Sequence, residues 1–139
     1  MILLDTSGLL AAVDASQRRH ADCAAVLQDA AGPLLLSPFV LAELDYLLGR
    51  HVSAAAQSAL LGEVVRGAYR LEPFDAADIE TARAIMERYA ALRIGLADAS
   101  IVVLAERHRT RDVLTLDERH FRTLRIGRRQ RFRILPADG

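Results

Sequence analysis

Short aliphatic runs alternate with helical stretches along the whole chain, and this alternation constrains the fold more than any single residue does. Ile2–Leu4, Leu34–Leu36, Tyr69–Glu72, Val113–Leu116 and Phe132–Leu135 read as strands of three or four residues. Helices are expected at Ser7–Asp14, Gln17–Ala30, Phe39–Arg50, Ser53–Arg66, Asp75–Leu92 and Ala97–His108. Gly32-Pro33 would end the second helix, Pro38 suits the start of the third, and Ser53 and Gly67 suit the ends of the fourth. The clearest amphipathic pattern is Ile79, Ala82, Ile85, Met86, Tyr89 and Leu92. The middle of the last helix, Ile101–Ala105, is apolar throughout and should be buried on several sides. Strands and helices in alternation with short connections imply an α/β fold, a parallel sheet covered by helices on both faces. In such sheets, sites form outside the carboxyl ends of the strands.

Composition narrows this further. A chain of 139 residues fits one domain, 1–139, burying about two-thirds of its unfolded surface. Aromatic residues are 5% and Trp is absent, so the core must be aliphatic. The single Cys23 excludes an internal disulfide and a Cys-based zinc cluster; His20 lies three residues before it, but no second pair completes a site. The start has no basic segment before its apolar run, and no run approaches the ~18 residues that span a bilayer. A cytoplasmic protein with no membrane contact is expected.

The zero net charge hides an asymmetry. Residues 1–103 hold 8 Arg against 13 acidic residues, a balance of −5, whereas 104–139 hold 10 Arg against 5, a balance of +5. All eighteen basic residues are Arg. A GC-rich genome accounts for the absence of Lys but not for the clustering. Arg presents a planar fork of donors suited to phosphate, so the basic third is consistent with a nucleic-acid partner.

Four acids fall where such a sheet would bring them together. Asp5 follows the first strand and Asp117 the fourth; each is also a natural helix cap. Glu43 has Phe39, Val40, Tyr46 and Leu47 as helical neighbours, a face on which burying a carboxylate is costly unless it is paired. Asp45 on the same helix has nearly as apolar a setting, so geometry alone favours Glu43 only slightly. Asp98 opens the most apolar helix, where the helix dipole alone would favour an acid. Thr115 should share a strand face with Val113, with its hydroxyl near Asp117. Each acid has a bland explanation, but jointly they would repel and take up protons unless a cation intervened. An all-oxygen set suits Mg²⁺ or Mn²⁺.

With these residues in view, the chain resembles a PIN domain of the VapC type, the ribonuclease toxins of prokaryotic toxin–antitoxin modules. The resemblance spans essentially the whole chain. It is carried by Leu3-Leu4-Asp5-Thr6-Ser7, Ser37-Pro38-Phe39-Val40-Leu41-Ala42-Glu43, Leu96-Ala97-Asp98-Ala99-Ser100 and Leu114-Thr115-Leu116-Asp117-Glu118-Arg119-His120-Phe121. It implies a PIN-like three-layer α/β/α sandwich with a central parallel sheet. It also implies an endoribonuclease dependent on Mg²⁺ or Mn²⁺, in which a metal-activated water hydrolyses RNA phosphodiester bonds. Asp5, Glu43, Asp98 and Asp117 become the catalytic quartet, with Asp5, Asp98 and Asp117 as metal ligands. Thr6, Ser7 and Thr115 become accessory hydroxyls. A cognate VapB-type antitoxin and a homodimer are the implied partners, and Arg119, Arg122 and Arg128 are candidates to grip RNA phosphates.

Rival readings fit less well. A receiver domain also carries acids at strand ends but needs a lysine, and this chain has none. A haloacid-dehalogenase-type phosphatase needs a second Asp where Ser7 stands. His51, His108 and His120 have no Ser or Cys nucleophile arranged with them, so a hydrolytic triad is not supported; His120 follows Asp117 by three residues, which leaves a place near the site open beside a structural or surface role. The alternative kept open is a catalytically inactive PIN-like binding module that engages RNA or a partner protein.

Overall fold

The computed structural model describes residues 1–139. Five strands form one parallel sheet: β1 (Ile2–Leu4), β2 (Leu34–Leu36), β3 (Arg70–Leu71), β4 (Asp112–Leu114) and β7 (Arg133–Leu135). Their order across the sheet is β3-β2-β1-β4-β7, every neighbouring pair parallel. A small antiparallel hairpin, β5 (Arg125–Ile126) with β6 (Gln130–Arg131), stands apart from it. The helices flanking the sheet are α1 (Thr6–Val13), α2 (His20–Asp29), α3 (Pro38–His51), α4 (Ala54–Val65), α5 (Ala76–Arg88), α6 (Leu96–His108) and α7 (Glu118–Thr123). No helix is long and apolar enough to cross a membrane.

The strand sequences explain the layering. Leu3, Leu4, Leu35, Leu36, Val113 and Leu114 are buried almost completely on both sides, as the central strands of a parallel sheet require. α6 is buried continuously from Ala99 to Ala105, matching its unbroken apolar run. The core is aliphatic apart from Tyr69 and the edge-to-face pair Phe121–Phe132, whose ring centroids lie 5.3 Å apart. Gly8 lets α1 begin tight against the sheet: a Cβ there would lie 2.5 Å from the Leu114 carbonyl oxygen.

The ends of α3 and α4 follow their caps: Ser37 accepts from the Phe39 amide ahead of Pro38, and Ser53 accepts from the Ala56 amide. Two helices are shorter than expected. The second begins at His20 rather than Gln17, because the Asp14 carboxylate captures the Ser16 amide and hydroxyl and the Gln17 side chain in a turn. The fifth stops at Arg88; Tyr89 leaves the helical conformation, its hydroxyl accepts from the Arg125 amide, and residues Ala90–Leu92 form a 3-10 turn before left-handed Arg93. Ile79, expected on the buried face of that helix, is exposed.

The strand order reverses direction at β1, with β2 on one side and β4 on the other. A crevice opens at such a switch point, beyond the carboxyl ends of the strands. Asp5 follows β1 and Thr115 follows β4, and the Asp5 amide donates to the Leu114 carbonyl at 3.0 Å.

Candidate metal centre

At this edge of the sheet lies a cavity of about 330 Å³, lined by Asp5, Thr6, Ser7, Glu43, Asp98 and Asp117 together with Leu10, Leu47, Gly95 and Ala97. The four acids come from segments far apart in sequence: the end of β1, the middle of α3, the first turn of α6, and the cap of α7.

Asp5 occupies the cap position of α1, yet its side chain makes no capping bond. Instead its Oδ2 accepts from the Thr115 hydroxyl at 2.6 Å and from the Ser7 hydroxyl at 3.1 Å. Each of these hydroxyls is itself positioned by a backbone donor. Thr115 Oγ1 accepts from the Asp117 amide at 2.9 Å, and Ser7 Oγ from the Leu116 amide at 3.0 Å. The segment after β4 therefore fixes Asp5 from the far side. With both hydroxyl protons committed to Asp5, the 3.2 Å approach of Ser7 Oγ to Thr115 Oγ1 is a contact around a shared acceptor. Burial pushes the Asp5 carboxyl up to about 6, opposed by the Thr115 bond and reinforced by the charge of Asp98. Thr6 Oγ1 is buried without a hydrogen-bond partner.

Asp98 is likewise raised above the ordinary carboxylate range, chiefly by burial; His120 opposes the rise, while Asp117 and Glu43 add to it. Asp117 does two things. Its Oδ1 caps α7 through the His120 amide at 3.0 Å, so the cap reading holds for this acid. Its Oδ2 lies 3.0 Å from His120 Nδ1, which is also 3.1 Å from Asp98 Oδ2.

Glu43 and its helix are placed by a serine relay. The buried Ser37 hydroxyl lies 2.6 Å from Ser100 Oγ, and the Ser100 hydroxyl donates to the Ala97 carbonyl at 2.6 Å. With the Ser100 proton so engaged, Ser37 is the donor, and the start of α3 is tied to the first turn of α6. Glu43 itself is exposed, so the cost of burying a carboxylate does not single it out. What separates it from Asp45 is direction. Asp45 faces α4 and accepts from the Gln57 side chain at 3.1 Å, whereas Glu43 lines the cavity.

The Arg candidates do not join this group. Arg119, Arg122 and Arg128 are not among the lining residues. Arg122 is already engaged, its guanidinium donating to Asp138 at 2.7 and 2.8 Å and to Glu118 at 2.9 Å. Arg119 and Arg128 are exposed. Of the two places open to His120, the structure takes the one near the site: its ring sits between two of the acids. Its position three residues after a helix-capping acid was the available signal.

Carboxylates and hydroxyls from this sheet edge form an all-oxygen donor set, which fits a hard divalent cation and not a soft one. In this arrangement no three acidic, His or Cys side chains close on one point. Asp5 and Asp98 take protein donors on Oδ2 and leave Oδ1 for a ligand, whereas both oxygens of Asp117 face His120. The zinc pairing of His20 with Cys23 has no support: Cys23 is buried, and His20 Nδ1 pairs with the Ala11 carbonyl at 2.8 Å.

Comparison with known proteins places the chain among relatives. The family model for the PIN domain matches residues 2–126. Ribonuclease VapC26 of Mycobacterium tuberculosis is 46% identical over 135 residues, covering 97% of this chain and all of that relative. The crystal structure of M. tuberculosis VapC20, described as a Sarcin-Ricin loop cleaving toxin, superposes with a TM-score of 0.79 at 22% identity, covering 84% of this chain and 90% of that one. FitAcB from Neisseria gonorrhoeae matches with a TM-score of 0.53 at 23% identity, covering 78% and 83%.

Proposed function

The chain belongs to the PIN-domain family, among the VapC-type ribonucleases, and from that membership we propose that its acidic cavity is the catalytic centre of a Mg²⁺- or Mn²⁺-dependent endoribonuclease, the toxin of a type II toxin–antitoxin module. The observation that carries this reading is the convergence of Asp5, Glu43, Asp98 and Asp117 from four separate segments on one cavity at the switch point of the sheet.

Asp5, Asp98 and Asp117 would hold the cation. When bound, it supplies charge neutralisation at the phosphodiester and lowers the cost of ionising a water at neutral pH. The remaining steps belong to the chain. The Thr115 and Ser7 hydroxyls fix one oxygen of Asp5, so its other oxygen keeps a set direction. Burial beneath the cavity floor keeps Asp5 and Asp98 poorly solvated, which strengthens their pull on a cation. Glu43, exposed and lining the same cavity, is the acid free to accept a proton from an attacking water. Hydrolysis by water leaves the RNA 2′-hydroxyl unused, so the products carry 5′-phosphate and 3′-hydroxyl ends.

The antitoxin partner has a candidate seat. A groove of about 310 Å³ is bounded by α3, α4 and the end of α1, lined by Val13, Leu48, Val52, Ala56, Ala59 and Leu60 together with the acids Asp14 and Glu63. Tyr46, Leu61 and Val65 are exposed on α3 and α4, and Val52 is exposed just after α3. Such a surface suits the apolar face of an amphipathic segment from a VapB-type antitoxin. A homodimer, with RNA as substrate, completes the proposed assembly.

The test is cleavage of total RNA by the purified chain with Mg²⁺ or Mn²⁺, beside Asp5→Asn, with the new ends mapped. Cleavage by the wild type alone, leaving 5′-phosphates, supports the reading. Equal cleavage by both proteins, or cyclic-phosphate ends, refutes it.

A further inference from the structure

His120 lies outside the quartet, yet it touches two of its members. Its Nδ1 is 3.1 Å from Asp98 Oδ2 and 3.0 Å from Asp117 Oδ2. Asp98 belongs to the first turn of α6 and Asp117 to the cap of α7, so no backbone hydrogen bond of either helix joins the two carboxylates. The ring that joins them is held firmly: its own amide donates to Asp117 Oδ1 at 3.0 Å. The next residue, Phe121, is buried edge-to-face against Phe132. His120 is mostly covered, with 20% of its side chain exposed. The Nδ1 hydrogen bond is made to Asp98 Oδ2, and Asp117 Oδ2 lies at ion-pair distance from the same nitrogen. Asp98 Oδ1 takes part in no hydrogen bond of the protein, and Asp117 Oδ2 has no other partner.

We propose that His120 is a positioning residue for the divalent cation: through Nδ1 it ties Asp98 to Asp117 and holds two mutually repelling carboxylates on one side of the cavity. The inference rests on the reading of that cavity as a metal site. Residues that orient a ligand from behind commonly change metal affinity about 10- to 100-fold when removed. Without the ring, Asp98 and Asp117 lose their common partner and turn apart.

Calorimetric titration of the full chain with Mn²⁺, without RNA, tests this. His120→Ala is expected to bind Mn²⁺ at least about 10-fold more weakly than the wild type. His120→Asn, whose amide nitrogen falls near the Nδ1 position, should recover most of the affinity, whereas His120→Gln, whose nitrogen reaches the Nε2 position, should not. Wild-type or tighter affinity in His120→Ala overturns the proposal, the tighter result marking the ring as a competitor of the cation. If His120→Ala does not fold by circular dichroism, the Asn and Gln variants decide, and equal affinities overturn the proposal. Asp98→Asn separates the two levels. If the wild type binds no Mn²⁺, or Asp98→Asn binds it as well as the wild type, the metal-site reading fails and carries this one with it. If Asp98→Asn loses binding while His120→Ala keeps it, this inference alone fails.

Discussion

Replacing Asp5 by Asn should make the protein more stable at neutral pH while disabling its site. Asp5 is 5% exposed, and its carboxyl rises from the ordinary 3.8 to about 6. Between these values the unfolded chain has released a proton that the folded chain still holds, so stability falls as pH rises through this window. Asp5 thus contributes most below pH 3.8, and its contribution is lost once pH passes about 6. The difference corresponds to about 3 kcal/mol, an upper estimate for a group beside other acids. Asn keeps an oxygen to accept from Thr115 and carries no charge. At pH 7.5 in a chelator, Asp5→Asn should therefore melt about 10 °C higher than the wild type, and the gap should shrink towards zero near pH 4. Saturating Mg²⁺ should also narrow the gap at pH 7.5, because an ion at 100 times its dissociation constant stabilises only the protein that binds it, by about 2.7 kcal/mol. The assay is thermal unfolding of both proteins from pH 4 to 8, with and without Mg²⁺. A gap that does not change with pH, or an Asn variant less stable at pH 7.5, would refute the assignment of a strained carboxylate.

Three further outcomes follow from named contacts. Thr115→Val removes the shortest bond to Asp5 and should move the acid limb of RNA cleavage about one pH unit upward, since a hydrogen bond to a charged group contributes about 1.5–3 kcal/mol; an unmoved pH–rate profile would contradict the bond's role. Glu43→Gln should slow cleavage by about 100-fold or more as an acid/base group, while Asp45→Asn, facing Gln57 instead, should leave rates within about twofold; the reverse result would exchange their roles. Gly8→Ala forces a Cβ to within 2.5 Å of the Leu114 carbonyl oxygen and should cost about 1–3 kcal/mol as overpacking, read by urea unfolding, with a neutral result showing that α1 can shift off the sheet.

Much of the fold was legible because its signals are local. The aliphatic runs Ile2–Leu4 and Leu34–Leu36 have no amphipathic option and become buried parallel strands; Ser37-Pro38 and Ser53 mark helix starts through bonds made within three residues. What sequence periodicity missed depends on distant partners. Tyr89 leaves its helix to meet Arg125, and the β5–β6 hairpin has strands of two residues, too short to show alternation. The site divides in the same way. Asp5, Asp98 and Asp117 stand out by position relative to strands and helix starts. Glu43 and Asp45 sit two residues apart on a helix apolar nearly all round, and only the packing of α4 against Asp45 distinguishes them. His120 carries a local mark of its contact with Asp117, three residues before it, but none of its contact with Asp98, which arrives from α6. Arg122 resembles a phosphate ligand in sequence, but Asp138 and Glu118 occupy its guanidinium.

The central claim is that four carboxylates act as one cation-dependent site for cutting RNA. The direct measurement strips the purified chain with a chelator, adds back Mn²⁺ in steps, and follows cleavage of a defined RNA by the wild type, Asp98→Asn and Asp117→Asn. The account predicts no cleavage by the stripped wild type, full recovery at saturating Mn²⁺, and little or none in either variant at any Mn²⁺ concentration. Cleavage that persists in the chelator, or variants restored to wild-type rates, would contradict it.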